Sequence, residues 1–348
     1  MKYLPFVNAS LPFAVMLLSA CRASPTDSLA DRIDAVLRPA YEAGKFSGNV
    51  LITRRDQVVY ERSFGQADLE KNIPNAAGTR FLGFSVVKPL TAVLVFQQLE
   101  AGKLHLTDTL ESFFPDLRGK SAGRLTLQQL LTHTSGISEV ISGHLDRRIT
   151  PRDLAAATVD PKAGFEYSST GYVCLGLVLE AVTGRFYESL LQEKILDPAG
   201  MKDSGLMRTD RGVPGLARGY HRVGNKVAPA ELGVAMEALD GAGSLFTTAR
   251  DLWRFDQALE AETLLSRRMQ DLMVSQQVKG RYGYGWFLAE QGGRYFPWHK
   301  GDFRGYTAVL VRQIHRKETI VILSNLEETD VLGLRTKLLQ ILKAEPTP

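Results

Sequence analysis

Hydrophobic and polar positions along the chain follow two rhythms. Between Leu29 and Ala43, Ile33, Val36, Leu37 and Tyr41 recur near one face at helical spacing, which predicts an amphipathic helix. The rhythm then shortens to two. Asn49-Val-Leu-Ile-Thr53 and Val58-Val-Tyr-Glu-Arg-Ser-Phe64 flank the polar turn Arg54-Arg-Asp-Gln57, and Val58, Tyr60 and Phe64 share a face, as in paired strands. A helix is predicted from close to Ser85 to about Glu100, ending at Gly102, with Val87, Leu90, Leu94 and Val95 in its rows;. Helical signals fill the middle of the chain. Thr126 and Gln129 have the form of a capping box ahead of Leu130 and Leu131;. Thr150-Pro-Arg-Asp153 starts a helix with Pro151 at its first position, where the missing N–H costs nothing;. The apolar run from Tyr172 to Val182 stops at Gly184, as a C-cap would;. Thr248-Ala-Arg-Asp251 caps a helix carrying Leu252, Phe255 and Leu259;. Met207 to Glu237 is Gly- and Pro-rich and reads as a long loop region able to roof a cleft;. Strands then return as a hairpin, Tyr306 to Ile314 and Thr319 to Leu323 around His315-Arg-Lys317, before a helix from Leu332 to Leu342. Strands at both ends and helices between them predict an α+β fold. Its antiparallel sheet comes from about residues 28–85 and 284–345, with a mainly helical region, about 86–283, inserted between them.

The N-terminus stands apart from this pattern. Lys2 precedes a mostly apolar stretch from Leu11 to Leu18, and Leu18-Ser-Ala-Cys21 follows. A charged end, a short apolar run and small residues before a cleavage point make a secretory signal, and the run is too short for a good spanning helix. Residues 21–27 read as a tether and 28–345 as the folded domain. Leu18-Ser-Ala-Cys21 resembles the lipobox of bacterial lipoproteins, which implies removal of residues 1–20, lipidation of Cys21 and attachment to a membrane of the cell envelope through acyl chains, facing the periplasm.

Composition excludes some classes. In 348 residues the formal net charge is +4, and no Lys/Arg block forms a nucleic-acid stripe, so no nucleic-acid partner is expected. The six histidines show no ligand spacing and, apart from Cys21, no second cysteine joins Cys174, so neither a metal nor another cofactor is expected. Cys174 lies in an apolar run and reads as a silent core thiol. Nothing in the sequence signals an oligomeric state.

Three short segments carry candidate chemistry. In Ser85-Val-Val-Lys88 the two polar side chains are nearly one helical turn apart and fall on one face;. A serine hydroxyl is inert until a base takes its proton, and a lysine does so when burial and neighbours lower its pKa. Tyr167-Ser-Ser169 sits at a boundary between loop and helix. Its tyrosine is either a wedge against the helix or a phenol presented to a cleft, its pKa lowered by a nearby lysine. His299-Lys-Gly301, followed by Asp302 and Gly305, precedes a strand, where glycine permits close backbone approach and N–H groups can stabilise an oxyanion. Each segment alone is weak, and Ser-x-x-Lys occurs by chance in most chains of this size.

Together, in this order, the segments resemble the serine β-lactamase and penicillin-binding-protein family, in particular its class C β-lactamase, D-alanyl-D-alanine carboxypeptidase and esterase branch. Leu130-Leu-Thr-His-Thr-Ser-Gly136, Gly171-Tyr172, the run Gly241 to Asp251 and Tyr284-Gly-Trp286 fit as well, so the resemblance covers roughly residues 45–325. It implies a β-lactamase/transpeptidase-like fold and an acyl-enzyme on Ser85. Lys88 and Tyr167 would share proton transfer, and the N–H groups of Ser85 and Asp302 would form the oxyanion hole. Ser169, Lys300, Gly301 and Asp302 would contact substrate. His299 would help anchor a substrate carboxylate or tune Tyr167, while His133 is structural.

Two positions depart from the family pattern. Ser169 stands where asparagine is usual, and one hydroxyl replaces a two-ended amide. His299 stands where a lysine is common, which removes a permanent charge. Both weaken the case for carboxylate-bearing β-lactams. The sequence thus points to a serine acyl hydrolase of small-molecule or peptide substrates. The candidate substrates are D-amino-acid peptides, amides or β-lactam-like compounds, with a carboxylesterase or a non-catalytic wall- or partner-binding protein as alternatives.

Overall fold

Six antiparallel strands form the central sheet in this computed structural model, which describes residues 28–143, 146–224, 226–275, 278 and 282–345. The expected signal segment, tether and Cys21 lie outside the described residues. The strands are β1 (Gly48–Arg54), β2 (Gln57–Phe64), β3 (Phe287–Gln291), β4 (Arg294–Phe303), β5 (Tyr306–Gln313) and β6 (Glu318–Ser324), in the order β3-β4-β5-β6-β1-β2. The two ends of the folded chain therefore meet in the middle of the sheet, where β1 pairs with β6 from Gly48↔Ser324 to Arg54↔Glu318. β3 is an edge strand absent from the sequence reading, which placed only Tyr284-Gly-Trp286 there.

Alternation sorts the side chains of the central strands into two cores. Val50, Ile52, Val309, Val311, Ile320 and Ile322 face one way, under helices α1 (Leu29–Glu42) and α5 (Val331–Ala344), with Ile33, Leu37, Leu334, Leu338 and Leu342 as the helical contribution. Leu51, Ala308, Leu310, Val321 and Leu323 face the other way, onto the inserted helical region. Both faces are covered, so β5 and β6 are buried throughout their lengths, which is why they read as continuous apolar runs. The insert contains α2 (Val87–Glu100), α3 (Ser169–Thr183) and α4 (Ala249–Glu260). α2 is apolar almost all round and buried, as expected of a central helix.

The caps lie where the sequence placed them. Thr126 and Gln129 close a reciprocal capping box, Gly184 ends α3 in the left-handed conformation, and Thr248 caps α4 by accepting from the Asp251 N–H. Two features differ. A small three-stranded sheet of Phe81–Leu82, Leu245–Thr247 and Gly205–Leu206 leads into Ser85, and strands this short leave no readable alternation. The segment 207–237 is not plain loop but contains the hairpin Tyr220–Val223/Lys226–Pro229.

Candidate active site

The approach to Ser85 is a strained one. Gly83 pairs its N–H with Leu245 O at 2.9 Å, and Phe84 then turns with φ +42°, an unfavourable region for a bulky residue. Packing holds it there: Phe84 is buried, with ring centroids 5.3 Å from Phe303 and 6.0 Å from Tyr306. Ser85 occupies a single 3-10 turn, Phe84–Val86, and α2 starts directly behind it. Strand β4 closes one side of this turn. A Cβ on Gly301 would lie 1.9 Å from Gly83 O and 2.9 Å from the Ser85 nitrogen, so only glycine allows the strand to lie flush against the turn.

Lys88 is fully buried on the first turn of α2. Its Nζ is 2.9 Å from Ser85 Oγ, 3.3 Å from Ser169 Oγ and 2.9 Å from Ala242 O. Burial lowers its pKa from 10.5 to about 7, while the charges of Glu139 and Asp302 pull the other way. The same three contacts suit both protonation states. An ammonium donates to all three oxygens, whereas a neutral amine donates to Ser169 Oγ and Ala242 O and accepts the Ser85 hydroxyl proton. Thr91, one turn further on α2, donates to Gly241 O at 2.7 Å, so the Gly241–Ala242 turn is fixed from two positions. Ser169 therefore keeps a lysine contact despite replacing an amide.

Tyr167 closes the cleft opposite. Its ring centroid is 4.9 Å from Lys88 Nζ, and its hydroxyl engages Ser85. It keeps 36% of its surface open, yet protein packs closely around the hydroxyl and burial raises its pKa. The Ser85 contact opposes this shift, and Asp302 and Glu139 add to it. On charge proximity alone, the nearby lysine should lower this pKa. Desolvation of the phenolate outweighs that effect, so the group is a phenol near neutral pH.

His299 is fully buried behind Tyr167. Its Nδ1 lies 2.7 Å from Lys300 O and its Nε2 lies 3.2 Å from the Tyr282 hydroxyl. That hydroxyl is also 3.2 Å from His133 Nε2, and His133 Nδ1 accepts from the Ser168 N–H at 3.1 Å. One proton arrangement satisfies every group. His133 Nε2–H donates to Tyr282, Tyr282 donates to His299 Nε2, and His299 Nδ1–H donates to the Lys300 carbonyl. Burial and the Lys88 charge lower the His299 pKa to about 3, and burial puts that of His133 well below its ordinary value. Both rings are neutral and inward-facing. From His299 on β4, the bonds run through Tyr282 and His133 to the Ser168 N–H, linking the strand to the segment that carries Tyr167 and Ser169.

The cavity beside Ser85 has a volume of about 250 Å³ and is lined by residues that include Phe84, Ser85, Ser169, Val234, Gly243 and Phe303. Two carboxylates, Glu139 and Asp302, also line it, and among the described residues no lysine or arginine does. Lys300 lies outside the lining and pairs with Asp302 at 3.2 Å. Val234 belongs to the expected roof segment and borders a wider groove of about 730 Å³ as well. Glu139 was missed from sequence. Its carboxylate accepts from the N–H groups of Ser169 at 2.6 Å and Thr170 at 3.3 Å, and from the Thr170 hydroxyl at 3.1 Å. These bonds aim it at the start of α3, where a negative charge is favoured. Cys174 is buried, its thiol pushed up to about 12.

A serine set directly after a strained Phe84 and bonded to a buried lysine, with a phenol opposite and a strand edge alongside, within an α+β fold, defines a serine acyl hydrolase class. Comparison with known proteins agrees. The β-lactamase family model matches residues 33–344, and the chain belongs to that family. It is 32% identical over 307 residues to a putative penicillin-binding protein, PbpX, of Bacillus subtilis (strain 168), covering 86% of this chain and 76% of that one. It is 25% identical over 253 residues to a teichoic acid D-alanine hydrolase of Staphylococcus aureus (strain MRSA252), covering 70% and 62%. Among solved structures, D-amino acid amidase from Ochrobactrum anthropi SV3 superposes with a TM-score of 0.79 at 22% identity over 90% of this chain and 98% of the other. Membership makes the chain a serine hydrolase of the β-lactamase, penicillin-binding-protein and esterase clan, acting on small acyl or peptide substrates.

Proposed function

We propose that the chain hydrolyses esters, and amides more slowly, whose acyl group is a D-amino acid with a free ammonium. The carrying observation is the charge of the cavity: Glu139 and Asp302 beside Ser85, with no cationic side chain in the lining among the described residues. Such a pocket attracts an ammonium and repels the carboxylate of a penicillin. The names of two similar proteins, a teichoic acid D-alanine hydrolase and a D-amino acid amidase, support the D-aminoacyl class. Ser169 supports esters over amides, because it accepts from Lys88 with one hydroxyl and lacks the two-ended amide that would grip a substrate amide;.

In this reading Ser85 Oγ attacks the carbonyl and neutral Lys88 takes its proton. The N–H groups of Ser85 and Asp302 hold the oxyanion. Lys88, now charged, returns the proton to the departing alcohol through the Tyr167 phenol, leaving an ester on Ser85. Water then attacks that ester with Lys88 again as base, which releases the acid and restores the serine. The same proposal places the domain outside the cytoplasm, anchored through a lipid on Cys21. Intact mass of the membrane fraction should show loss of residues 1–20 and acylation, and an unmodified soluble chain beginning at Met1 contradicts it.

The substrate test compares kcat/KM for a D-alanyl ester with a free amine, its N-acetyl derivative and a penicillin. The free amine should win by about 10- to 100-fold, the range of a charged hydrogen bond, and Glu139→Gln should collapse that preference. Equal or faster turnover of the N-acetyl ester refutes ammonium recognition. Absence of turnover with every ester points instead to a binding protein.

A further inference from the structure

Strand β4 runs from the catalytic cleft to a second, differently charged pole. Gly301 lies against Ser85 at one end. Arg294 stands at the other, seven residues away, a distance of about 23 Å at strand spacing. There, a cavity of about 300 Å³ is lined by Gln291, Gly292, Arg294, Tyr295, Phe296, Gln313, His315, Arg316 and Lys343. Four of these are basic and none is acidic. Arg316 is held by Glu318, at 2.9 Å, and by Leu342 O, at 2.8 Å. Neither Arg294 nor Lys343 has a carboxylate partner among the described residues. The carboxylates nearest along the chain are already committed or point elsewhere: Glu318 is buried against Arg54 and Arg316, and Glu345 pairs with Arg32 and Arg54. Glu290, on the edge strand, is the exposed exception.

A second observation points the same way. Arg335 on α5, two turns before Lys343, lies with its guanidinium carbon 4.2 Å from the Trp298 ring centroid. Its Nε and Nη1 are buried without a hydrogen-bond partner. By strand alternation Trp298, Phe296 and Arg294 share one face of β4, so this arginine and the basic cavity lie along one groove between α5 and the sheet edge. Tyr295 at its mouth is 39% exposed, and tyrosine suits an interface that is apolar on one side and wet on the other.

The folded chain also begins at this pole. Arg32, on the first turn of α1, pairs with Glu345 just beyond the end of α5. Seven peptide links separate Cys21 from Ser28 and reach at most about 25 Å, so an acyl group on Cys21 would hold this pole, rather than the cleft, near a bilayer.

We propose that the Arg294–Arg316–Lys343 pole docks on an anionic phospholipid surface and turns the catalytic cleft away from the membrane. The charge pattern stands without the hydrolase reading; only the choice of a nearby membrane rests on the proposed lipid anchor. The test uses the chain from residue 21 onward carrying Cys21→Ser, so that no acyl group contributes. It should co-sediment with vesicles of phosphatidylcholine and phosphatidylglycerol but not with phosphatidylcholine alone, and rising salt should weaken the binding. Replacing Arg294 and Lys343 together by glutamine should weaken partitioning roughly 30-fold, at about one basic contact's worth each, with the thermal midpoint unchanged as the control for folding. Equal binding to both vesicles, or no effect of the double substitution, overturns the proposal. Displacement by inorganic phosphate, but not by chloride of matched ionic strength, also overturns it by marking a site for a free anion.

Discussion

Lys88 offers a prediction that links stability to mechanism. Its amine is buried and its pKa falls from 10.5 to about 7, which at about 1.4 kcal/mol per pH unit corresponds to a folding penalty near 5 kcal/mol. The sign follows from proton counts. Below pH 7 the amine is charged in both folded and unfolded chains, so the full penalty applies. Between 7 and 10.5 the unfolded chain binds more protons than the folded one, so stability rises with pH at up to about 1.4 kcal/mol per unit. Above 10.5 the penalty is gone. Lys88→Met removes the titration and keeps the bulk. It also loses the contacts to Ser85, Ser169 and Ala242, an offset of about 1 kcal/mol each that depends little on pH. The variant should therefore be inactive yet more stable than the parent near pH 6, by roughly 2 kcal/mol. That advantage should shrink, then reverse, by pH 10, a total swing of about 4 kcal/mol. Urea unfolding of both proteins at each pH measures the difference directly, because groups that do not sense the Lys88 charge cancel, and the two histidines that do sense it, His133 and His299, are held neutral chiefly by burial. A difference that stays flat from pH 6 to 10 refutes the argument, since Lys88 would then keep its ordinary pKa and remain charged at neutral pH.

The remaining predictions use the same geometry. Gly301→Ala should keep the fold but lower kcat/KM by about 100-fold or more, because its Cβ must push β4 off the Gly83–Ser85 turn;. Unchanged kinetics would mean that the strand does not set the site. Tyr282→Phe orphans His133 Nε2–H and His299 Nε2, at about 1–3 kcal/mol each by urea unfolding, and should lower kcat more than it raises KM. The pH profile of kcat/KM should rise through about 7 as Lys88 loses its proton. Glu139→Gln should move that limb to lower pH by removing a charge that favours the ammonium, and a shift to higher pH would contradict the assignment.

Much of this architecture is legible locally. The capping box at Thr126, the glycine stop at Gly184 and the Thr248 cap are carried by neighbours within four residues, and Ser85 and Lys88 meet because a helical turn brings them together. The burial of His299 is readable in part, since two-residue alternation gives it the face of Gly301, which packs on Ser85. Other features depend on distant contacts. Glu139 reaches the start of α3 from 30 residues away, so no local spacing marks it. Tyr282 matters only because the fold places it between two histidines. The high pKa of Tyr167 is a property of packing, and charge proximity alone gave the wrong direction.

The central claim is that Ser85 carries the acyl group. The protein should be incubated with a reactive ester and with a fluorophosphonate, and any adduct located by peptide mass spectrometry. The account predicts a stable phosphonyl adduct on Ser85, a transient acyl adduct at the same residue that decays as product appears, and neither in Ser85→Ala. Full ester turnover by Ser85→Ala, or an adduct on another residue in the parent, contradicts it.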